Sequence, residues 1–347
     1  MGLPCKPLIA LGLALVVTPA LADHPSLSIN NGSSAAIVGL SAQVLPKDVL
    51  SLSFKHEYLK NDSLPKDKLA HLEGQDVHSV DYMSVDALSL AWGQTEKLTL
   101  GFSLPFISRN NVFQAPHHHD EDDHEDEAGA ESLGDASGWG DLTIYSQYQF
   151  YQSTDGLRLA SVYTGLKLPT GKTNRKNNNG ESYEAEHQPG SGSFDGLIGV
   201  AASQRWTLWT LEGSLLATLA SEGTQHTDLG NALNYDVSLS RPLLPGHQHE
   251  HGHHSGEHHS PGYGLLSTTS LVVELNGEWR DKVDIHGSDD NNTGGNLIYA
   301  TLGLRTALPN HWSVALAAGI PVLENLNGIQ AEPDWRVSLN LGKAIRF

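Results

Sequence analysis

From Val49 to Lys60 the chain reads VLSLSFKHEYLK. Leu50, Leu52, Phe54 and Tyr58 fall on one side of a period-two pattern, with His56 the exception; Ser51, Ser53, Lys55 and Glu57 fall on the other. The alternation returns many times. Leu98, Leu100, Phe102, Leu104 and Phe106 oppose Thr99, Gly101 and Ser103. Leu142, Ile144, Tyr148 and Phe150 oppose Thr143, Tyr145, Gln147 and Gln149. Trp209, Leu211, Leu215 and Leu219 oppose Thr210, Glu212, Ser214 and Thr218; Leu233, Tyr235, Val237 and Leu239 oppose Asn234, Asp236, Ser238 and Ser240. Leu271, Val273, Leu275 and Trp279 oppose Glu274, Asn276, Glu278 and Arg280. A two-residue period is that of a β-strand with one apolar and one polar face.

Twelve such segments are predicted: about 48–60, 80–93, 97–112, 140–152, 156–169, 193–203, 206–221, 230–242, 265–281, 295–308, 311–322 and 335–347. Strands of soluble proteins run about 5–6 residues, whereas a tilted strand needs roughly 9–11 to cross a bilayer. A soluble sandwich accounts for the alternation but not for the length. The pattern therefore predicts an all-β protein, a transmembrane antiparallel up-and-down barrel of twelve strands, apolar towards lipid and polar towards the lumen. Short connections (94–96, 153–155, 204–205, 309–310) alternate with long ones (61–79, 113–139, 170–192, 282–294, 323–334), as periplasmic turns and outer loops do. Two connections break the rule: 222–229 is short for an outer loop, and 243–264 is long where a turn is due.

The final segment carries Trp335, Val337, Leu339, Leu341, Ile345 and Phe347 on one face, interrupted by Lys343. Tyr82, Trp92, Phe150, Trp206, Trp279, Trp312 and Trp335, near segment ends, are candidates for aromatic girdles. Beyond residues 1–22, no apolar run approaches the roughly 18 residues of a membrane-spanning helix; the run Val314–Leu323 is broken by Gly319 and Pro321.

The remaining regions add three expectations. Residues 1–22 have the form of a secretory signal: Lys6, the apolar stretch Leu8–Val17, then Ala20-Leu21-Ala22 for cleavage before Asp23. Cys5, the only cysteine, would leave with it, so neither disulfide, thiolate chemistry nor zinc–thiolate ligation is expected. Residues 23–47, rich in Ser, Gly, Ala and Asn, are a tail or a plug, and 48–347 form the barrel. The expected location is the cell outer membrane, with lipid and the barrel-assembly machinery as partners. A net charge of −19 offers no basic stripe and excludes nucleic acid as a partner.

Several motifs carry a family likeness. GWGDLTIYSQYQF (138–150), GLKLPTG (165–171), QPGSGSFDGLIGVAAS (188–203), ELNGEW (274–279) and IPVLENLNGIQAEPDWRVSLNLGKAIRF (320–347) together resemble the outer-membrane, transporter-like family described as "putative meta-pathway of phenol degradation". The resemblance spans most of the chain from about residue 48. It implies a β-barrel channel, with small hydrophobic or aromatic compounds as solutes. The departure from that pattern is two His-rich insertions, in the loops 113–139 and 243–264.

The first insertion sets His117, His118, His119 and His124 among Asp120, Glu121, Asp122, Asp123, Glu125, Asp126 and Glu127. The second, HQHEHGHHSGEHH, carries His247, His249, His251, His253, His254, His258 and His259. Neutral imidazole is a good ligand for Zn²⁺, Cu²⁺ and Ni²⁺, and neighbouring carboxylates concentrate cations. All of these histidines, with Asp120, are metal-ligand candidates, with Zn²⁺, Cu²⁺ or Ni²⁺ as bound or transported ions and no obligatory cofactor. Strand parity puts the first insertion outside and the second in the periplasm, where it could meet a periplasmic metal carrier. The leading expectation is thus a channel or transport-associated barrel handling divalent transition metals. A pore for small hydrophobic or aromatic compounds, and a non-conducting barrel that docks a metal-handling partner, are the alternatives.

Inward positions include Lys55, Glu57, Glu212, Asp236, Glu274, Glu278, Arg280, Arg336 and Arg346. Mixed charge of this kind suits an open polar pore or a salt-bridged, plugged interior, and the open pore is the expectation. The chain is not expected to be an enzyme. It lacks HExxH, GxSxG and a retained thiol, and GLKLPTGKT has five residues between Gly165 and Gly171 where a phosphate-binding loop needs four.

Overall fold

The computed structural model describes residues 36–72, 74–75, 77–116, 129–244 and 268–347. Its strands in chain order are β1 (Val49–Asp62), β2 (His78–Gly93), β3 (Leu98–Gln114), β4 (Glu131–Trp139), β5 (Leu142–Gln152), β6 (Arg158–Leu168), β7 (Asp195–Arg205), β8 (Thr210–Leu219), β9 (Thr227–Asp228), β10 (Ala232–Pro242), β11 (Thr269–Arg280), β12 (Asp284–Ile285), β13 (Ser288–Asp289), β14 (Gly295–Leu308), β15 (Trp312–Leu326) and β16 (Glu332–Arg346). Each long strand pairs antiparallel with its neighbours, β1 pairs with β16, and β2 pairs with both β1 and β3, so the sheet closes. β4 and β5 both pair with β3, one along Phe106–Gln114 and the other along Leu98–Ser103. They are two halves of one wall strand, broken at Gly140-Asp141. With that pair counted once and the two-residue strands set aside, twelve strands form the barrel.

Closure leaves no strand edge in the wall, the condition for a sheet in hydrocarbon, where an unpaired backbone group has no partner. The outer surface matches. Leu88, Ile198, Val237, Leu275, Leu302 and Leu316 are each more than half exposed. Such a continuous apolar belt is foreign to the surface of a soluble monomer and suits lipid contact. Tyr58 stacks on Tyr82 and on Trp335, with ring centroids 5.5 and 5.3 Å apart, at the long-loop end. Trp92, Trp206 and Trp312 stand exposed at the opposite end, where the turns and the strand termini lie. The two exceptions to outward apolarity find local partners. His56 Nδ1 lies 2.8 Å from Asp86 Oδ1 on the adjacent strand. Lys343 runs over the Trp312 ring to donate to the carbonyl of Asn310 in the turn, as a long side chain does at a membrane boundary.

Strand positions follow the sequence pattern to within a few residues, with two corrections. The fourth wall strand starts at Glu131, not near 140, which shortens the loop expected at 113–139. Residues 131–139, ESLGDASGW, lack outward apolar alternation because Gly134, Ala136 and Gly138 point inward while Ser132, Asp135 and Ser137, which are not buried, are polar, and the register shifts within the β3–β4 pairing. The short 222–229 connection is not a bare turn: β9 joins β12 and β13 in a separate three-stranded sheet at the loop end.

Candidate functional site

Residues 36–46 lie inside the barrel, where an open pore was expected. Ala36, Ile37, Leu40, Ala42 and Leu45 are all buried. An extended segment carries unpaired N–H and C=O groups, and burying them costs free energy unless each finds a partner. The inward side chains supply those partners. Glu212 accepts from Ala36 N (2.8 Å); Glu274 accepts from Ile37 N with one oxygen and from Val38 N with the other (3.1 Å). Ser214 Oγ accepts from Leu40 N, and Thr99 Oγ1 from Leu45 N. Gln147 Nε2 and the Tyr163 hydroxyl both donate to the carbonyl of Ser41, at 2.9 and 2.7 Å. Arg305 donates to the carbonyl of Ala36.

The plug's apolar side chains fit prepared sockets. Leu40 and Ala42 pack with Tyr145, Tyr163, Leu197, Ala201 and Leu216. Ile37 packs with Val272, Ala315 and Ala317, and Gly303 makes the room: a Cβ there would collide with Ile37 Cδ1. Thr99, Glu212 and Arg305 sit towards the turn ends of their strands, while Leu197 and Leu216 lie nearer the loop ends.

The loop-end half encloses a cavity of about 1160 Å³, counting space continuous with solvent. Val85, Ala87, Pro105 and Ile107, from β2 and β3, give it an apolar patch. Lys55, Glu57, Arg109, Asp141, Lys167, Asp195 and Arg280 bring charge from the rest of the wall. Most of these charges are paired, and Arg109 donates to the carbonyls of His187 and Gln188. Lys55 bonds Glu57, whose other oxygen lies 4.0 Å from Arg336. Arg336 also donates to Asn276 (2.7 Å) and lies 4.0 Å over the Tyr299 ring. Lys167 sits between Asp195 and Asp141, 3.8 Å from the latter. Arg280 lies 2.8 Å from Glu278. Of the nine charged residues predicted to face inward, Lys55, Glu212, Glu274 and Arg336 are buried, while Arg346 is exposed at the turn-end rim.

Asp141 organises the mouth. Its carboxylate accepts from Gly171 N (2.8 Å), Ser191 N (2.8 Å) and Ser191 Oγ (2.7 Å). Gly171 and Gly190 touch backbone to backbone; a Cβ on either would come within 2.7 Å of the other. Thus GWGD, GLKLPTG and QPGSG, far apart in sequence, form one knot. It folds residues 188–191 into the cavity wall. The glycines of GLKLPTGKT serve this close approach, which needs no phosphate.

Beside the knot, His78, Glu184, Glu186 and His187 form one group of nitrogen and oxygen donors that lie within 4.8 Å of one another. It is the one such group able to hold a metal ion among the described residues. The sequence-predicted ligands His117, His118, His119, Asp120, His124, His247, His249, His251, His253, His254, His258 and His259 lie outside the described residues, as does the segment 1–22. The flanking strands do fix the ends of the barrel from which the two insertions leave. Gln114 and Glu131 pair at the loop end, and Pro242 lies opposite Ser270 at the turn end. Sequence reasoning missed the plug contacts, the Asp141 knot and the four-residue group. Only YEAEHQPG (183–190), with its E-x-E-H spacing, hinted at the last.

Against known proteins, residues 113–255 match the family model described as "Putative MetA-pathway of phenol degradation". No protein of curated function matches the sequence. Among solved structures, the COG4313 outer membrane channel from Pseudomonas putida F1 is similar over 92% of this chain and 100% of that one, at 16% identity and a TM-score of 0.61. The KdgM porin covers 85% of this chain and 99% of its own at 9% identity, with a TM-score of 0.40. A TodX monoaromatic hydrocarbon channel variant covers 88% and 91% at 8% identity, also with a TM-score of 0.40. The chain has the twelve-stranded fold of an outer-membrane channel, and the likeness that its motifs bear to the phenol-degradation family is met by the match across residues 113–255.

Proposed function

We propose that this protein is an outer-membrane pore for small organic solutes with an apolar, aromatic-sized body and polar substituents. The observation that carries the proposal is the cavity in the loop-end half. Its Val85, Ala87, Pro105 and Ile107 patch faces the same space as neutralised ion pairs. Small-molecule sites characteristically combine apolar area with a few fixed polar groups. An ion path would leave charges of one sign unpaired in the lumen; here Glu57 pairs with Lys55, and Asp141 and Asp195 share Lys167. The match with a family named for a phenol-degradation pathway supports the same solute class. In this reading segment 1–22 directs export and is cleaved, the loop end faces outward, and the plug of residues 36–46 gates passage to the periplasm.

The His-rich segments enter as accessories. Residues 117–127 and 247–259 hold Zn²⁺, Cu²⁺ or Ni²⁺ near the two ends of the barrel, and a periplasmic metal carrier docks at the second. Transport of the metal itself has no support in the cavity's lining.

Proteoliposome flux tests the main reading. The purified barrel should pass a small phenol faster than a sugar of similar size and faster than Zn²⁺. Equal rates for phenol and sugar would defeat organic selectivity, and preferential Zn²⁺ entry would restore metal transport. Protease applied to intact cells should cleave within 117–127 and spare 247–259; the reverse would invert the orientation.

A further inference from the structure

We propose that His78, Glu184, Glu186 and His187 bind one divalent first-row transition ion, which fastens the 169–194 loop to the barrel wall at the mouth of the cavity. The donors come from two places. His78 opens β2, and the other three lie on or beside a short 3₁₀ turn, Ala185–His187. His78 Nε2 is 3.4 Å from Glu184 Oε2, and His187 Nδ1 is 3.5 Å from Glu186 Oε1. His78 Nδ1 is 3.7 Å from Glu186 Oε1. A tetrahedral ion with bonds of about 2.0–2.2 Å holds its ligand atoms about 3.3–3.6 Å apart. His78 gives an ion one ring nitrogen only, so these distances describe its two edges; taking one ligand atom from each residue, all four lie within 4.8 Å of one another, a cluster that a modest shift of the side chains closes around one ion.

Burial points the same way. The His78 and His187 side chains are 5% and 1% exposed, and the two rings lie 4.5 Å apart between centroids. The Glu186 side chain is only 10% exposed. Glu184, with its side chain 38% exposed, closes the group from the solvent side, and a divalent cation would draw the two carboxylates together. Two nitrogens and two carboxylate oxygens suit Zn²⁺, Co²⁺ and their neighbours in the series. Four protein donors make a closed, structural site with no place reserved for substrate. This site differs from the His-rich insertions, which have no fixed spacing.

The site's place in the fold gives it a consequence. The loop it fastens continues into Gln188, Pro189, Gly190 and Ser191, all lining the cavity. Arg109 holds the same stretch through the carbonyls of His187 and Gln188, at 3.5 and 3.3 Å. An ion bound beside that contact fixes the width of the mouth. The inference stands whether the solute is organic or not.

The test must exclude the insertions, because the chain runs from Gln114, the strand partner of His78, into residues 117–127. The full chain with every histidine of 117–124 and 247–259 replaced by asparagine is purified, stripped with chelator and titrated with Co²⁺ and Zn²⁺. One equivalent of Co²⁺ should bind with the intense visible bands of tetrahedral coordination, and one equivalent of Zn²⁺ should displace it. His187→Ala in that background should abolish the bands while the barrel stays heat-modifiable on gels. Octahedral, weak Co²⁺ bands, or none, in the asparagine-substituted parent would overturn the site without recourse to any further variant. Bands that persist unchanged in the His187→Ala barrel would overturn it as well.

Discussion

Glu274→Gln is the sharpest probe of the plug. The substitution keeps the shape of the side chain and removes its charge. In the parent, the two carboxylate oxygens accept from the N–H groups of Ile37 and Val38, and Asn276 Nδ2 adds a third bond at 3.1 Å. An amide offers one accepting oxygen, so one plug N–H would face an NH₂ group. Hydrogen bonds to charged groups contribute roughly 1.5–3 kcal/mol, and a neutral bond about 1. Losing one and weakening the other should cost the docked plug about 2–4 kcal/mol, or a roughly 30- to 700-fold larger undocked population at 1.4 kcal/mol per tenfold. Ser41, 2% exposed, reports the docked state when it is changed to cysteine. The rate at which a thiol reagent modifies Ser41→Cys should follow the undocked fraction when opening is fast, and planar-bilayer recordings should show more frequent open events. A labelling rate within threefold of the parent, in a barrel that remains heat-modifiable, would show that Glu274 does not hold the plug.

Other substitutions separate the remaining parts of the argument. Ile37→Ala empties the socket formed by Val272, Ala315 and Ala317; large-to-small changes in such packing cost about 2–5 kcal/mol, so Ser41→Cys labelling should accelerate at least tenfold. Gly190→Ala forces a Cβ against the Gly171 backbone, and should lower the thermal midpoint of the folded barrel by an overpacking cost of about 1–3 kcal/mol; an unchanged midpoint would mean that the knot yields. Lys167→Gln leaves Asp141 and Asp195 without their shared cation, and should shift the reversal potential of the open pore towards cation selectivity. Leu302→Arg places a charge in the outer belt; mid-bilayer cations cost roughly 2–4 kcal/mol in barrels, and a refolding titration in lipid that showed no loss would argue against lipid contact there.

The wall was legible in the sequence because its two boundary conditions act on every strand separately. Lipid demands an apolar side chain at each outward position, and backbone pairing demands extended chain throughout. Each strand therefore carries its own period-two record, and Leu98–Phe106 or Leu271–Trp279 can be read without knowing the partners. Where a strand's outward residues are polar, as Ser132, Asp135 and Ser137 are in 131–139, that record fails and the boundary is missed.

The lumen left no such record. Glu212, Glu274, Ser214 and Gln147 alternate in the same way whether they face water or a polypeptide, since both offer hydrogen-bonding groups. The choice between open pore and plug was decided by the path of residues 36–46, which pair with side chains as far as 303 residues away in sequence. The same holds at the mouth. His78 stands more than a hundred positions before Glu184, and Asp141, between β4 and β5, meets Gly171 and Ser191 from the two ends of the 169–194 loop. Sequence alone determined the strand number and which side of each strand meets lipid, because those are local constraints repeated along the chain. Only the tertiary structure decided what fills the barrel and which side chains meet at its mouth, because both depend on loop paths that no periodicity encodes.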